Sequence, residues 1–470
     1  MHELLKKPII QLRDHLVNKD ISCLELLNIH IEHIQKWNPL LNAMVFERWE
    51  QARKEAVALD TRGVFDTTIH PLLGIPCTIK ECFQLEGMPQ SSGLYSRRNI
   101  RSSSNAPVVQ NILDAGAIPM GVSNLSELCM WMESNNSVYG RSNNPYDLRC
   151  TTGGSSGGEG ALVGCGGSPF GLGSDIGGSI RMPAFFNGVY GHKCSSGLVD
   201  NTGQYPDAAE GAQKYLCTGP IARHAQDLPL LLSVMSQKNI ESHEIDWSSM
   251  KIYSIPDDGR ISVDQELKDI QRKLLGWCEQ KGAAIEEIRI PELQKSIEIW
   301  SGALESGGGP TFEELLWDGT PKSLFLEFVK LGVGRSKHTF PALGLSLLER
   351  IAKKLPNQIE HVLELQNILR QKLDQILDDQ SIILYPSHGT VAPRHKNSLW
   401  VPVRWSYTAI VNVMGLPVTQ IPLGTNPDGL PLGLQLIGGK NRDSLTISVA
   451  IDIEKDWGGW IPPQFPSSQT

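Results

Sequence analysis

The chain is expected to fold as an α/β protein. Three observations point there. Residues 238–310 alternate strand and helix signals: Lys251-Ile252-Tyr253-Ser254-Ile255, a helix near 263–282, then Ile285-Glu286-Glu287-Ile288. Residues 3–18 and 22–37 carry helical periodicity. Two apolar runs near the C-terminus, 416–423 and 429–438, flank a Gly/Pro turn as neighbouring strands would. No internal repeat or low-complexity block interrupts the 470 residues.

In chain order, residues 1–60 read as an N-terminal helical layer. Ser22 is placed to cap the second helix, with Glu25 completing a capping box. Leu24, Leu27, Ile31 and Ile34 form its apolar face, and Asn38-Pro39-Leu40-Leu41-Asn42-Ala43 ends it. His30 and His33 share a turn, but no further metal ligand accompanies them, so they read as solvated helix residues. The apolar run Leu72-Leu73-Gly74-Ile75-Pro76-Cys77-Thr78-Ile79 is strand-like and ends in Lys80. A helix near 106–115 and a strand at Ala117-Ile118-Pro119-Met120-Gly121 follow. Cys129, Met130, Trp131 and Met132 come next. Met and Trp together can line an adaptable apolar pocket, and core packing fits the same composition. Residues 310–350 are less regular, with Leu315-Leu316-Trp317 and Leu324-Phe325-Leu326-Glu327-Phe328-Val329 set among charges. They suit a channel cap, a contact between two protomers, a membrane surface or the core. A helix near 358–378 precedes the strand Ile382-Ile383-Leu384-Tyr385-Pro386.

The most unusual stretch runs from Thr151 to Arg181. Twelve of its 31 residues are Gly and five are Ser. Glycine permits positive φ and close backbone approach, so a hydroxyl flanked by glycine can sit at a tight turn beside bare N–H groups. Acyl transfer needs that combination: a nucleophilic oxygen and donors for a developing oxyanion. A solvated linker fits poorly, because Ala161-Leu162-Val163, Pro169-Phe170 and Ile176 interleave the glycines. No phosphate-loop pattern is present. Gly153-Gly154-Ser155-Ser156-Gly157 is formally a nucleophile elbow, which would make Ser155 the nucleophile and call on a histidine such as His388. An elbow follows a buried strand, however. Residues 143–150 read as loop, and Ser179 stays unexplained.

Lys80 offers a second chemistry. Where an apolar strand enters the core, the charged form of a lysine is disfavoured, and a neutral amine can take a proton from a serine. The alternative is a lysine that snorkels out of the strand end. Glu81 falls on the opposite face.

GGSSGGEGALVGCGGSPFGLGSDIGGSIR, together with GIPCTIKECF, resembles the amidase signature family. The resemblance covers almost the whole chain. It implies one amidase domain over 1–470, a mixed β-sheet core sandwiched between layers of α-helices, with the signature core at 70–235. It implies Ser179 as nucleophile, Ser155 as a bridging serine after a cis Gly154–Ser155 bond, and Lys80 as base. The N–H groups of Ile176, Gly177, Gly178 and Ser179 fall at the oxyanion hole, and Ser156, Asp175 and Arg181 at supporting positions. Under this reading Ser155 relays a proton and is not the attacking atom. Cys194 stands where many members have Pro, which reads as a local loop change. Arg223 and Asp227 match a turn of structural character. Within the family, ECFQLEGMPQSSGL, SELCMW, YGRSNNPYDL, SDIGGSIRMPAFFNGVYGHK, YPSH and GLPVTQ resemble the branch that cleaves fatty-acid amides. That implies a lipid amide of the oleamide or anandamide kind, with Cys129–Met132 along the acyl channel, and no metal or cofactor. Three alternatives stay open. One is an amidase for small or aryl amides. Another is the glutaminase component of a tRNA-dependent amidotransferase, from which Glu159 departs. The third is a silent lipid-binding protein, against which the intact Lys80, Ser155 and Ser179 argue.

A net charge of −8 leaves no basic surplus for nucleic acid. The nine cysteines are scattered without a CxxC, which fits a reduced compartment lacking disulfides and zinc. The sequence shows no signal peptide and no apolar run of about 18 residues. The expectation is an intracellular protein, cytoplasmic or peripherally membrane-associated, with a small-molecule substrate. Homodimerisation is left open.

Overall fold

The sheet is built from β1 (Met44–Glu47), β2 (Pro76–Lys80), β3 (Ile118–Ser123), β4 (Phe170–Asp175), β5 (Tyr190–Lys193), β6 (Cys217–Ala222), β7 (Lys251–Ser254), β8 (Ala284–Glu287), β9 (Ser381–Tyr385), β10 (Val418–Thr425) and β11 (Pro431–Gly438). In this computed structural model every residue is described except 64–65, 321, 353–358, 400–402 and 466–470. The strands lie in the order β1-β3-β2-β4-β6-β5-β10-β11-β9-β7-β8. Pairing is mixed: β3, β2 and β4 run parallel, as do β9, β7 and β8, and the strands between them are antiparallel. β2, β4 and β9 are buried at every position. The outermost strand β8 carries Glu286 and Glu287, exposed charges that blunt an open edge.

Helices cover the sheet. α1 (Ile9–Val17), α2 (Cys23–Leu41), α3 (Trp49–Arg62), α4 (Pro107–Asp114), α5 (Gly157–Gly164), α6 (Arg181–Phe186) and α7 (Leu228–Ser236) precede β7. α8 (Gln265–Lys281), α9 (Ser296–Ser306), α10 (Phe312–Leu316), α11 (Leu324–Gly332), α12 (Phe340–Ala352), α13 (Ile359–Ile376), α14 (Ser406–Met414) and α15 (Asp443–Trp457) complete the chain. Residue 358, at the start of the helix expected over 358–378, lies outside the described residues.

The capping box of α2 forms as the sequence predicts. Glu25 N donates to Ser22 Oγ at 3.1 Å, and Ser22 N donates to the Glu25 carboxylate at 2.9 Å. The helix runs through Pro39 in its last turn and ends at Asn42, which adopts φ 47°. Its two histidines correct the expectation of solvated residues. His30 is fully buried, with Nδ1 2.9 Å from the Gly167 carbonyl, and His33 Nε2 lies 2.8 Å from the Cys165 carbonyl. Burial, reinforced by the charge of Arg223, pushes His30 down to about 3. It therefore stays neutral while it ties the helical layer to the turn after α5. Arg223 donates to the carbonyls of Ser168 and Lys7, and Asp227 accepts from Ile9 N at 2.9 Å. These two residues anchor the N-terminal segment to the sheet.

Apart from residue 321, which is not described, the 310–350 region forms α10, α11 and most of α12. Leu316, Trp317, Leu324, Ala342 and Leu343 pack into a small apolar cluster of their own with Leu94 and Leu128. Phe325 (74 % exposed), Val333 (65 %) and Leu348 (63 %) face outward. Glu127 docks this module: its carboxylate meets His338 Nδ1 at 2.9 Å and accepts from Thr339 N at 2.8 Å. No helix among the described residues is long and apolar enough to cross a membrane.

Glu159 on α5 is buried against β2, where Thr78 Oγ1 donates to its carboxylate at 2.5 Å. Burial pushes this carboxyl from 4.5 up to about 7. The unfolded chain releases that proton first, so the folded state loses stability as pH rises through this window. Glu159→Gln should gain stability over the wild type between about pH 5 and pH 8, by up to about 3 kcal/mol. Melting temperatures at the two pH values check this.

Candidate functional site

Lys80 ends β2 and Asp175 ends β4. The two strands are parallel neighbours in the register Thr78–Gly171 and Ile79–Leu172. Their carboxyl ends therefore open side by side, as ligand sites do in α/β sheets. Strand alternation sends Lys80 and Glu81 to opposite sides. Glu81 accepts from Ser91 N, Ser91 Oγ, Ser92 N and Tyr139 Oη, at 2.6–2.8 Å. Lys80 is fully buried, and its Nζ donates to Ser155 Oγ at 2.7 Å and to Ser174 Oγ at 2.9 Å.

Ser155 follows Gly154 across a cis peptide bond and leads into α5. The turn requires glycine at 154, because a Cβ there would fall 2.3 Å from the Trp131 carbonyl oxygen. Ser134 braces the turn from outside. Its Oγ donates to the Gly153 carbonyl at 3.0 Å and accepts from Gly157 N at 2.9 Å.

The loop bearing Ser179 is shaped by Asp175 and Arg181, both fully buried. Asp175 accepts from Gly178 N at 2.6 Å and Ile180 N at 3.1 Å, and two 3.0 Å contacts join it to Arg181. Burial alone would raise this carboxyl. The charge and hydrogen bonds of Arg181, with the charge of Lys193 and the Gly178 amide, hold it well below the ordinary range instead. Arg181 also donates to Gln435 Oε1, the Thr408 carbonyl and Asn412 Oδ1, at 2.6–2.9 Å. Three successive loop carbonyls are tied away: Asp175 to Asn412 Nδ2 (2.8 Å), Ile176 to Trp300 Nε1 (2.7 Å) and Gly177 to Thr408 Oγ1 (2.8 Å). Among the described residues the N–H groups of Ile176, Gly177 and Ser179 have no partner, whereas that of Gly178 is taken by Asp175. Of the four expected donors, three are open.

Ser179 is 7 % exposed, and its carbonyl accepts from Ser156 N at 3.2 Å. Ser156 Oγ lies 3.4 Å from the Ser174 carbonyl. The structure thus brings Lys80, Ser155, Ser156, Asp175, Ser179 and Arg181 into one cluster. It adds Ser174 and Ser134, which sequence reasoning missed. Ser174 sits one residue before Asp175, so strand alternation could have turned it toward Lys80 had β4 been recognised.

A model of the amidase family matches residues 25–447. The chain belongs to the amidase signature family. It is 42 % identical to fatty-acid amide hydrolase 2-A of Danio rerio, over 98 % of this chain and 90 % of that protein. Identity to fatty-acid amide hydrolase 2 of Homo sapiens is 41 %, over 97 % and 90 %. A glutamyl-tRNA(Gln) amidotransferase component of Treponema denticola is 30 % identical, over 94 % and 97 %. Among solved structures, an amidase matches with a TM-score of 0.79 at 24 % identity, covering 96 % of this chain and all of its own. A fatty acid amide hydrolase matches at 0.75 with 21 % identity, covering 97 % and 86 %. These two agree on the fold. The protein is an amide-hydrolysing enzyme.

The expected channel residues of this amidase divide. Cys129 adopts φ 59° and is half-buried. The neighbouring Cys82, with help from the charge of Lys80, holds its thiol below the ordinary cysteine range against burial. Met132 lines a cavity of about 390 Å³, with Phe186, His388, Val391 and Arg404 among its other walls. Met130 and Trp131 are partly buried and do not line it. His388 hydrogen-bonds Thr390 and not a serine, and burial pushes it down to about 4. Among the described residues no three His, Cys, Asp or Glu side chains converge as metal ligands would. Arg181→Leu would leave the Asp175 carboxylate buried and unpaired, so the amidase should lose about 3–5 kcal/mol of stability. A lowered denaturation midpoint checks this, with partial recovery on adding Asp175→Asn.

Proposed function

We propose that this amidase hydrolyses fatty-acid amides to free fatty acid and amine through a covalent acyl-enzyme on Ser179. The observation that carries the reading is the 2.7 Å contact between buried Lys80 and Ser155, beside a loop with three open amides. Ser179 Oγ attacks the amide carbonyl. Its proton passes to Ser155, and Ser155 passes its own to the Lys80 amine. The oxyanion is met by the amides of Ile176, Gly177 and Ser179. As the C–N bond breaks, Lys80 returns the proton through Ser155 to the leaving nitrogen. Water then attacks the ester by the same relay, releasing the acid and restoring Ser179. Ser174 accepts one N–H of Lys80 and so holds the amine beside Ser155. Residues 1–470 act as one amidase unit in this reading. The outward apolar groups of α11 and α12 offer a surface to lipid or to a second copy of the chain.

The fatty-acid assignment is supported by the identities of 41–42 % to the fatty-acid amide hydrolase 2 proteins, against 30 % to the amidotransferase component. Ser179→Ala is expected to abolish turnover, by about 1,000-fold or more, together with covalent labelling by a fluorophosphonate. A labelled or active Ser179→Ala protein would remove the nucleophile assignment. In a primary-amide series from acetamide to oleamide, kcat/KM is expected to climb with chain length. Preference for short or aryl amides would leave the acyl-transfer chemistry standing on a general amidase.

A further inference from the structure

We propose that the cavity beside the two serine segments holds an anion subsite centred on Arg404, and that the lipid amides preferred by this enzyme carry a carboxylate on the amine portion, as N-acyl amino acids do. The inference rests on the fatty-acid amide reading above and narrows its substrate class.

Lys80, Ser155 and Ser179 do not themselves line the cavity, but two of its walls adjoin the segments that carry the serines. On one side are Met132 and Phe186. Cβ atoms built on Gly154 and Gly153 would lie 2.9 Å from the Met132 carbonyl carbon and 3.1 Å from Phe186 Cδ2. This wall therefore backs directly onto the turn that presents Ser155. On the other side is Arg404, next in sequence to Trp405. The Trp405 ring lies 3.4 Å from where a Cβ of Gly177 would stand, and it packs edge-on against Trp300 at 4.8 Å. Trp300 in turn holds the Ile176 carbonyl. Arg404 is thereby placed relative to the loop with the open amides. Ser155 is the group that hands the proton to the leaving nitrogen, so a cavity on the Ser155 side receives the amine portion of the substrate.

The cavity's charge has one sign. Arg404 is a cation whose Nε is buried without a hydrogen-bond partner. Among the described residues no carboxylate pairs with it, although Asp264 feels its charge from farther off. Its stem lies along Gly389, where a Cβ would meet Arg404 Cγ and Cδ at 3.3 Å. His388 on the same wall is neutral at physiological pH, because burial and the charge of Arg404 both disfavour its protonation. Glu133, behind the wall residue Ser398, is already engaged by Ser398 Oγ and by Lys396 N at 3.0 Å. The remaining walls include Val391, Ala392 and Pro393. A simple alkyl or hydroxyethyl amine would leave the buried Arg404 Nε without a partner, which is costly. A carboxylate meets it with charge-assisted, bidentate geometry.

The test compares N-oleoylglycine with N-oleoylethanolamide, which share the acyl chain and differ in a carboxylate against a hydroxymethyl group. Wild-type enzyme is expected to favour the glycine conjugate in kcat/KM. Arg404→Gln should lower the ratio of the two kcat/KM values by about 10- to 100-fold, through KM more than kcat. Arg404→Lys should recover part of the ratio, which also controls for misfolding. A wild-type preference for the ethanolamide, or a ratio unmoved in Arg404→Gln, would overturn the subsite while the fatty-acid amide reading stands. If wild type cleaves neither lipid but turns over short or aryl amides, the fatty-acid reading itself falls and the subsite with it.

Discussion

The Asp175–Arg181 pair is the interaction on which the rest of the site depends. Two opposite charges removed from water are tolerated only when their remaining hydrogen-bonding capacity is met, and here it is met almost wholly by the machinery around Ser179. Asp175 collects amides from its own loop. Arg181 collects oxygens from α14 and from Gln435 of β11. Satisfying the pair therefore draws three distant chain segments together, and the loop between the two charges has little freedom left. Thr408 closes the arrangement: it receives Arg181 on its carbonyl and holds the Gly177 carbonyl with its hydroxyl. Gly178 has to be glycine beside it. Its φ is 118°, and a Cβ would come within 2.0 Å of Thr408 Oγ1.

Much of the fold was legible in the sequence wherever burial is one-sided. α2, α8 and α13 show their periodicity, and β7, β9 and β11 stand out as short apolar runs, because each buries a stripe or a run of side chains that local pattern records. β4 and α5 do not stand out. They lie inside the glycine-rich stretch, where nearly every residue is buried and no polar face alternates with an apolar one. Glycine also scores as a poor former of either element. What holds α5 as a helix is packing against β2 and β4, which no window of local sequence contains. His30 and His33 fail for a related reason. A histidine on a helix reads as polar surface unless its distant acceptors, the Gly167 and Cys165 carbonyls, are known.

The site was legible to the extent that its chemistry is local. Ser155 and Ser179 announce themselves by their glycine neighbours, and Lys80 by its place at the end of an apolar run. The groups that orient them do not. Ser174 and Ser134 are ordinary serines in sequence, and their importance comes only from sitting opposite Lys80 and the Gly153 carbonyl. Gln435, Asn412 and Trp300 are more than a hundred residues from the loop they hold. Arg404 likewise gains meaning only from the cavity it faces.

The strand order bears on how the chain is made. β10 and β11 come late in the chain, yet they lie mid-sheet, joining β5 on one side to β9 on the other. Until they are in place, the strand group that carries Lys80 and Asp175 and the group formed by β9, β7 and β8 share no ladder. A growing chain emerging from the ribosome can thus assemble two partial sheets but cannot join them before residues 418–438 are synthesised. The same segment supplies Gln435 to Arg181. Assembly of the reactive loop therefore waits for those residues, and until then a nascent chain exposes unpaired strand edges that attract aggregation or chaperones.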